Sequence, residues 1–305
     1  MINLAIVGLG NIYERTKSII AQNHNINIVE ICDKNEVLLN NHILDENVFK
    51  TTDYKLLSKS DTIMINTPPK THFEIAKYFI ENNKNIILEK PLVTTIEELE
   101  QLNELRLKHN IKIYSMLHYS FGKEIIWWKN QSNTKELPTE IVANFHEPYY
   151  VDGKLNSHSI SLGGAYIDST INSLSGIFSL FYGEIKLKHK NLKYDTATKI
   201  DILAKSEFEI IIDNKSIQAQ ITIDWNKDIK ERSIYLFYKN YTIHLDGKNQ
   251  QVIKINFDNN TNEILYKADG ISIENHYSAM LDDFVKKADN FDFSYKLHKA
   301  ILTNI

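Results

Sequence analysis

The sequence predicts two domains: an α/β domain with a doubly wound parallel sheet over residues 1–118, then an α+β domain with a large, mostly antiparallel sheet and flanking helices over 119–305. Three observations predict it. At 305 residues the chain exceeds the size at which a single hydrophobic core stops growing. Its first third alternates short apolar runs with helix-like segments. Beyond about Glu184 the rhythm becomes strand-length stretches of loosely alternating apolar residues with short connectors.

In the first domain the apolar runs are Leu4 to Val7, Ile28 to Cys32, Thr62 to Ile65, Ile86 to Leu88 and Ile111 to Tyr114. They lack polar alternation, as expected of parallel strands covered by helices on both faces. A helix is predicted after Thr95, where Thr95 and Glu98 match a capping box and Ile96, Leu99, Leu102 and Leu105 recur along one face. In the second domain the stretches are Phe208 to Ile212, Ile217 to Trp225, Ile234 to Tyr238, Tyr241 to Leu245 and Val252 to Phe257, with Asp213-Asn214 and Asp246-Gly247 as turn signals. The natural reading is an antiparallel meander. One helix is expected before it, from about residue 164 to 181, and one after it, from about 275 to 288; the last helices are placed to pack back on the first domain.

Composition narrows the class. Hydrophobic residues at 43% and charged residues at 24% are ordinary for a soluble globular chain, which argues against disordered and fibrous classes. A net charge of −4 and a pI near 6.3 give no field for nucleic acid or anionic lipid. No basic leader or membrane-length apolar stretch is legible, so a cytoplasmic location is expected. The one cysteine, Cys32, sits in an apolar run and reads as a small buried hydrophobe. No His, Cys or carboxylate cluster has metal-ligand spacing, so no metal is expected.

Gly8-Leu9-Gly10-Asn11-Ile12-Tyr13 follows the first apolar run and opens a helical segment. In that context a glycine-rich turn lets backbone N–H groups approach a pyrophosphate at a helix N-terminus. Tyr13 replaces the third glycine of the full pattern, and the residues alone also fit a tight connection without a ligand. Asp33 ends the next run, where a carboxylate accepts hydrogen bonds from a ribose and repels a 2′-phosphate, favouring NAD over NADP; Lys34 beside it leaves NADP open. Asn66-Thr67-Pro68-Pro69-Lys70-Thr71-His72 reads as a stiff loop running into a helix. Glu89-Lys90-Pro91 places Lys90 at the carboxyl end of a strand, where open α/β sheets bind ligands.

Together and in this order, Gly8-Leu9-Gly10-Asn11, Asp33, Thr67-Pro68-Pro69 with His72, and Glu89-Lys90-Pro91-Leu92 resemble the glucose-fructose oxidoreductase and inositol dehydrogenase family. The resemblance implies an N-terminal Rossmann domain and a nicotinamide cofactor held by Gly8, Gly10, Asn11, Ile12, Asp33, Thr67, Pro68, His72, Glu89 and Lys90. It assigns Lys90 a contact with substrate and nicotinamide ribose, often with a cis bond before the proline. The segment Gly163-Gly164-Ala165-Tyr166-Ile167-Asp168-Ser169-Thr170-Ile171-Asn172 is similar to the family's glycine pair followed by a helix bearing an aspartate and, four residues on, usually a histidine. Asn172 occupies the histidine position. A spacing of four puts Asp168 and Asn172 on one helical face, and asparagine cannot take a proton from an alcohol as a neutral imidazole does. Aspartate followed by asparagine is similar to the galactose and arabinose 1-dehydrogenase branch, whose substrate is a free aldose oxidised at C1.

Softer candidates are His118, at the domain junction, and Glu147, in His146-Glu147-Pro148-Tyr149-Tyr150; either fits a substrate cleft, and Glu147 also fits a solvated loop carboxylate. The run Lys186-Leu187-Lys188-His189-Lys190 reads as one solvated strand face. The expectation is an NAD(P)-dependent dehydrogenase of a free aldose or similar polyol, with Lys90, Asp168 and Asn172 shaping hydride transfer. Alternatives are a ring-carbon dehydrogenase of a nucleotide-linked sugar or an inositol, and a regulator that binds cofactor or sugar without turnover. A homo-oligomer formed through the second sheet is expected.

Overall fold

The computed structural model describes residues 1–41, 47–131, 136–258, 261–270 and 273–303. The first domain runs β1 (Ile2–Val7), α1 (Asn11–Gln22), β2 (Ile26–Cys32), α2 (Glu36–Asn41), β3 (Phe49–Thr51), β4 (Thr62–Ile65), α3 (His72–Glu81), β5 (Asn85–Leu88), α4 (Ile96–His109) and β6 (Ile113–Ser115). The six strands are all parallel, in the order β3-β2-β1-β4-β5-β6. Strand order therefore reverses between β1 and β4, and the crevice at the carboxyl ends of those two strands is where such sheets bind ligands. Every residue of β4 is buried, which is why its sequence shows no alternation.

Local signals become local geometry. Thr95 Oγ1 accepts from the Glu98 amide at 3.2 Å, and the Glu98 carboxylate accepts from the Thr94 and Thr95 amides at 3.0 and 3.3 Å, closing the capping box of α4. Glu30, a buried carboxylate on apolar β2, accepts from the amides of Ser58, Lys59 and Ser60 and so pins the connector leading to β4.

The second domain runs α5 (Lys123–Gln131), β7 (Glu140–His146), β8 (Tyr150–Val151), β9 (Lys154–Leu155), α6 (Ser157–Ser161), α7 (Ala165–Leu180), β10 (Glu184–Tyr194), β11 (Asp201–Ile212), β12 (Lys215–Asp224), β13 (Glu231–Phe237), β14 (Tyr241–Asp246), β15 (Gln251–Asn256) and β16 (Thr261–Lys267). Its eight-stranded sheet has the order β10-β11-β12-β7-β13-β14-β15-β16. A plain meander is corrected here. β7 inserts between β12 and β13, parallel to the first and antiparallel to the second. Its alternating burial is the signature of a strand with two unlike faces, which leaves no continuous apolar run in its sequence. At Asp213-Asn214 both residues have positive φ, 48° and 62°, and Ile212 pairs with Lys215, which makes the two-residue hairpin expected there. At Asp246-Gly247 the connection is longer and is held by the Asp246 carboxylate, which accepts from the amides of Lys248 and Asn249.

Two helices close the chain, α8 (Glu274–Lys287) and α9 (Phe291–Leu302). The chain divides into one compact unit of Met1–Met116 with Tyr277–Leu302, and a second built on Leu117–His276. Within the first unit, Tyr114 donates to Asp283 Oδ2 at 2.9 Å, the Ser115 amide donates to Asn290 Oδ1 at 2.6 Å, and Arg106 pairs with Asp292 at 3.1 Å.

Candidate cofactor and substrate sites

In the first unit the glycine turn, the end of β2 and the loop after β4 surround a cavity of about 540 Å³, within the range of small-molecule and cofactor sites. Its lining includes Gly8, Gly10, Asp33, Asn66, Thr67 and Pro68, and also Lys34, Thr52, Tyr54 and Lys70. The two glycines act differently. Gly8 has φ +94°, and a Cβ there would come within 2.9 Å of the Asn66 carbonyl carbon and 3.0 Å of the Thr67 nitrogen, so the close approach of two backbones excludes any side chain. A Cβ on Gly10, the N-cap of α1, would meet nothing within 4 Å, so its missing side chain leaves open space at the helix N-terminus. The Leu9 amide donates to Asp33 Oδ2 at 2.7 Å and the Asn35 amide to Oδ1 at 2.8 Å, which locks the carboxylate against the turn. Both side-chain polar atoms of Asn66 are buried without a hydrogen-bond partner on the edge of this cavity. An open cradle, an oriented carboxylate and an unsatisfied amide together fit a dinucleotide.

Tyr13, at the third glycine position, is only 1% exposed, so an aromatic ring fills the space of the glycine contact between helix and strand. Burial and the neighbouring Glu14 push its phenol up to about 12. Cys32 is buried as read, with its thiol also pushed up to about 12 by burial and by Asp33 and Asp53, which removes nucleophilic character. Asn11 and Ile12 lie on the first turn of α1, outside the cavity lining.

His72 is fully buried rather than lining the cavity. Its Nδ1 lies 2.8 Å from the Pro91 carbonyl and its Nε2 2.8 Å from the Thr67 carbonyl, so it ties the β4 loop to the β5 loop from behind. Burial pulls its pKa down, and because both partners are carbonyls the neutral ring donates to one of them at a time. The Lys90–Pro91 bond is cis, the Lys90 amide donates to Glu89 Oε2 at 2.5 Å, and Glu89 is itself buried.

In the second unit, Asp168 lies in the first turn of α7 and is 4% exposed; Ser169 Oγ donates to its Oδ2 at 3.2 Å and in turn accepts from Trp225 Nε1 at 3.1 Å. Asn172 follows one turn later, its Oδ1 buried without a partner. The glycine pair before this helix has a reason that local sequence hides. Asp201, on β11, accepts from the Tyr166 amide at 2.6 Å and caps α7 from another strand, and a Cβ on Gly164, at φ +129°, would fall inside that carboxylate. Burial raises the Asp201 pKa against the backbone bonds from Tyr166 and Ala165. Lys190 turns inward, with its ammonium 4.9 Å from the Tyr166 ring centre, which corrects the solvated reading at that one position; Lys186 and Lys188 pair outward with Glu184 and Glu209. Gly164→Ala is expected to cost about 3 kcal/mol of stability through the positive φ and the displaced cap, read from urea midpoints.

Glu147 is buried rather than solvated. Its Oε1 accepts from Arg232 Nε at 2.8 Å and Nη2 at 2.5 Å, and Lys230 stands 3.7 Å from Oε2. Charge pairing explains the correction, since a buried carboxylate must be compensated and here the Arg232 guanidinium does so. The Arg232 guanidinium covers the Tyr119 ring at 5.0 Å, and Tyr119 neighbours His118 and His276, at 4.6 and 5.6 Å between ring centres. His118 is thereby packed among rings and 4% exposed. Sequence reasoning missed Arg232, although it is one of three arginines in a lysine-rich chain, with Arg15 and Arg106, and arginine suits buried pairs.

Glu124, in the same cluster, is raised to about 7 by burial, with Asp246 raising it and Arg232 opposing. A carboxyl raised above its unfolded value stabilises fully below about 4.5, and that contribution is lost as pH rises through about 7. His276, lowered to about 4 by burial and by Arg232 and Lys123, acts in the opposite sense, its contribution being present above 6.5 and lost as pH falls toward 4. The stability advantage of Glu124→Gln over the wild type is therefore expected to grow between pH 4.5 and 7, by up to about 1.4 kcal/mol per unit, in paired denaturant titrations.

Among the described residues, no group of three or more His, Cys, Asp or Glu has the arrangement to hold a metal ion, and no helix is long and apolar enough to cross a membrane. The first unit is a parallel dinucleotide-binding domain and the second a mixed-sheet domain whose helix α7 carries Asp168 and Asn172 one turn apart. Residues 2–118 match the Gfo/Idh/MocA family model, described as an oxidoreductase family with an NAD-binding Rossmann fold. It is 31% identical over 123 residues to Oxidoreductase P35 of Formosa agariphila, a match covering 39% of this chain and 38% of the relative. The chain thus matches well under half the length of that curated relative. Its whole fold is similar to a dehydrogenase (MviM) from Clostridium difficile, with a TM-score of 0.80 at 16% identity over 98% of this chain and 97% of the other. It is also similar to KijD10, a 3-ketoreductase from Actinomadura kijaniata in complex with NADP and TDP-benzene, with a TM-score of 0.82 at 12% identity over 99% and 96%.

Proposed function

We propose that the chain is an NAD(P)-dependent oxidoreductase acting on a CH–OH group of a sugar-like polyol, with C1 of a free aldose as the reacting carbon and a lactone as product. The observation that carries this reading is the pairing of the dinucleotide cavity with Lys90 on a loop tied, through His72, to the Thr67 carbonyl of the cavity wall. The bound nicotinamide supplies the hydride acceptor. Gly8 and Gly10 give the pyrophosphate its approach, and Asp33 takes the adenosine ribose, a preference for NAD. The hydroxyl proton passes to Lys90 or to Asp168, while the Asn172 amide orients the sugar, a division that suits an anomeric hydroxyl because it is more acidic than an ordinary alcohol.

A nucleotide-linked sugar is the second reading, favoured by the TDP-benzene complex of the similar 3-ketoreductase. A regulator without turnover is the third, and Asn172 in place of a proton-accepting histidine is what favours it. Reduced-nicotinamide absorbance with NAD or NADP against free aldoses, inositols and nucleotide sugars separates them. Turnover on a free aldose supports the proposal, turnover only on nucleotide sugars moves the substrate, and cofactor binding with no turnover on any of them refutes the enzyme. A homo-oligomer formed through the eight-stranded sheet belongs to the same proposal, and its check is the mass in solution by light scattering.

A further inference from the structure

We infer that His298, near the end of the chain, is a positioning residue for Lys90. His298 lies on α9, is 2% exposed, and accepts from the Leu92 amide through Nε2 at 2.9 Å. Its Nδ1 donates to the Ser294 carbonyl at 2.8 Å, one turn earlier on the same helix. An amide can only donate and a carbonyl can only accept, so the ring is held as the neutral tautomer with its proton on Nδ1.

The segment after Lys90 is therefore gripped at two successive residues from two elements far apart in sequence. The Pro91 carbonyl faces His72 on α3, and the Leu92 amide is taken by His298 on α9. On the other side, the Lys90 amide is bound to the Glu89 carboxylate. Each bond fixes backbone within two residues of Lys90, and His72 also reaches the Thr67 carbonyl of the cavity wall. Losing the bond from Leu92 leaves a buried amide unsatisfied and frees the loop to shift, and small displacements of a positioning group have large effects on what it contacts. The inference rests on the proposed contact of Lys90 with the nicotinamide end of the cofactor.

The test compares binding of NADH with binding of ADP, which lacks both the nicotinamide and its ribose, for the full-length wild type, Lys90→Ala, His298→Leu and His298→Gln. His298→Leu is expected to weaken NADH about tenfold while ADP stays within about twofold, because the glycine turn and Asp33 are untouched. His298→Gln, whose amide oxygen can take the Leu92 bond, is expected to restore NADH affinity. Equal losses for both ligands in His298→Leu make the histidine merely structural and overturn the inference. So does wild-type NADH binding by His298→Leu when Lys90→Ala is weakened, or failure of His298→Gln to restore it. Wild-type NADH binding by Lys90→Ala instead removes the role given to Lys90, and the inference falls with it.

Discussion

Lys90→Ala is expected to lose turnover by roughly a thousandfold, the scale of a lost proton-transfer and positioning group. The loop itself should survive, because its anchors are the Lys90 amide, the Pro91 carbonyl and the Leu92 amide, none of which the substitution removes. ADP affinity should accordingly be retained. Lys90→Arg keeps the charge but holds its proton at any accessible pH, so it is expected to rescue little if proton transfer is the role. Initial rates of nicotinamide reduction decide it, and wild-type turnover in Lys90→Ala sinks the assignment.

Arg232→Ala is expected to destabilise the second unit by about 3–5 kcal/mol, because it strands the Glu147 carboxylate in the core with only Lys230 at 3.7 Å. It also strips the cation from the face of Tyr119. The paired change Glu147→Gln with Arg232→Met should recover much of that loss, since no buried charge is left uncompensated. Urea unfolding of the three proteins checks this, and a cost for Arg232→Ala below about 1 kcal/mol would show the pair to be solvated.

The first domain was legible because its signals are local. Five apolar runs marked five of the six strands, Thr95 and Glu98 announced a helix start, and Gly8 to Gly10 sat in the strand-to-helix context that gives a glycine turn its meaning. The unmarked strand, β3, is three residues long and half-exposed, so it leaves no apolar run. The second domain was less legible because its decisive contacts are remote. β7 finds partners some eighty residues later, Asp201 caps a helix thirty-five residues before it, and Arg232 neutralises Glu147 from a different strand. None of these leaves a spacing pattern. The motif Gly163-Gly164 was visible, but its cause, a carboxylate occupying the space of a side chain, was not. Glu147 was misread for the same reason, since a loop carboxylate looks solvated until its arginine is placed.

The division of the first unit between Met1–Met116 and Tyr277–Leu302 bears on how the chain is made. The nucleotide-binding sheet leaves the ribosome first, yet the Leu92 and Ser115 amides and the Tyr114 hydroxyl must wait for His298, Asn290 and Asp283, synthesised more than 160 residues later. During translation the early sheet is thus a provisional structure, and its Leu92 and Ser115 amides are satisfied only after α8 and α9 have been made.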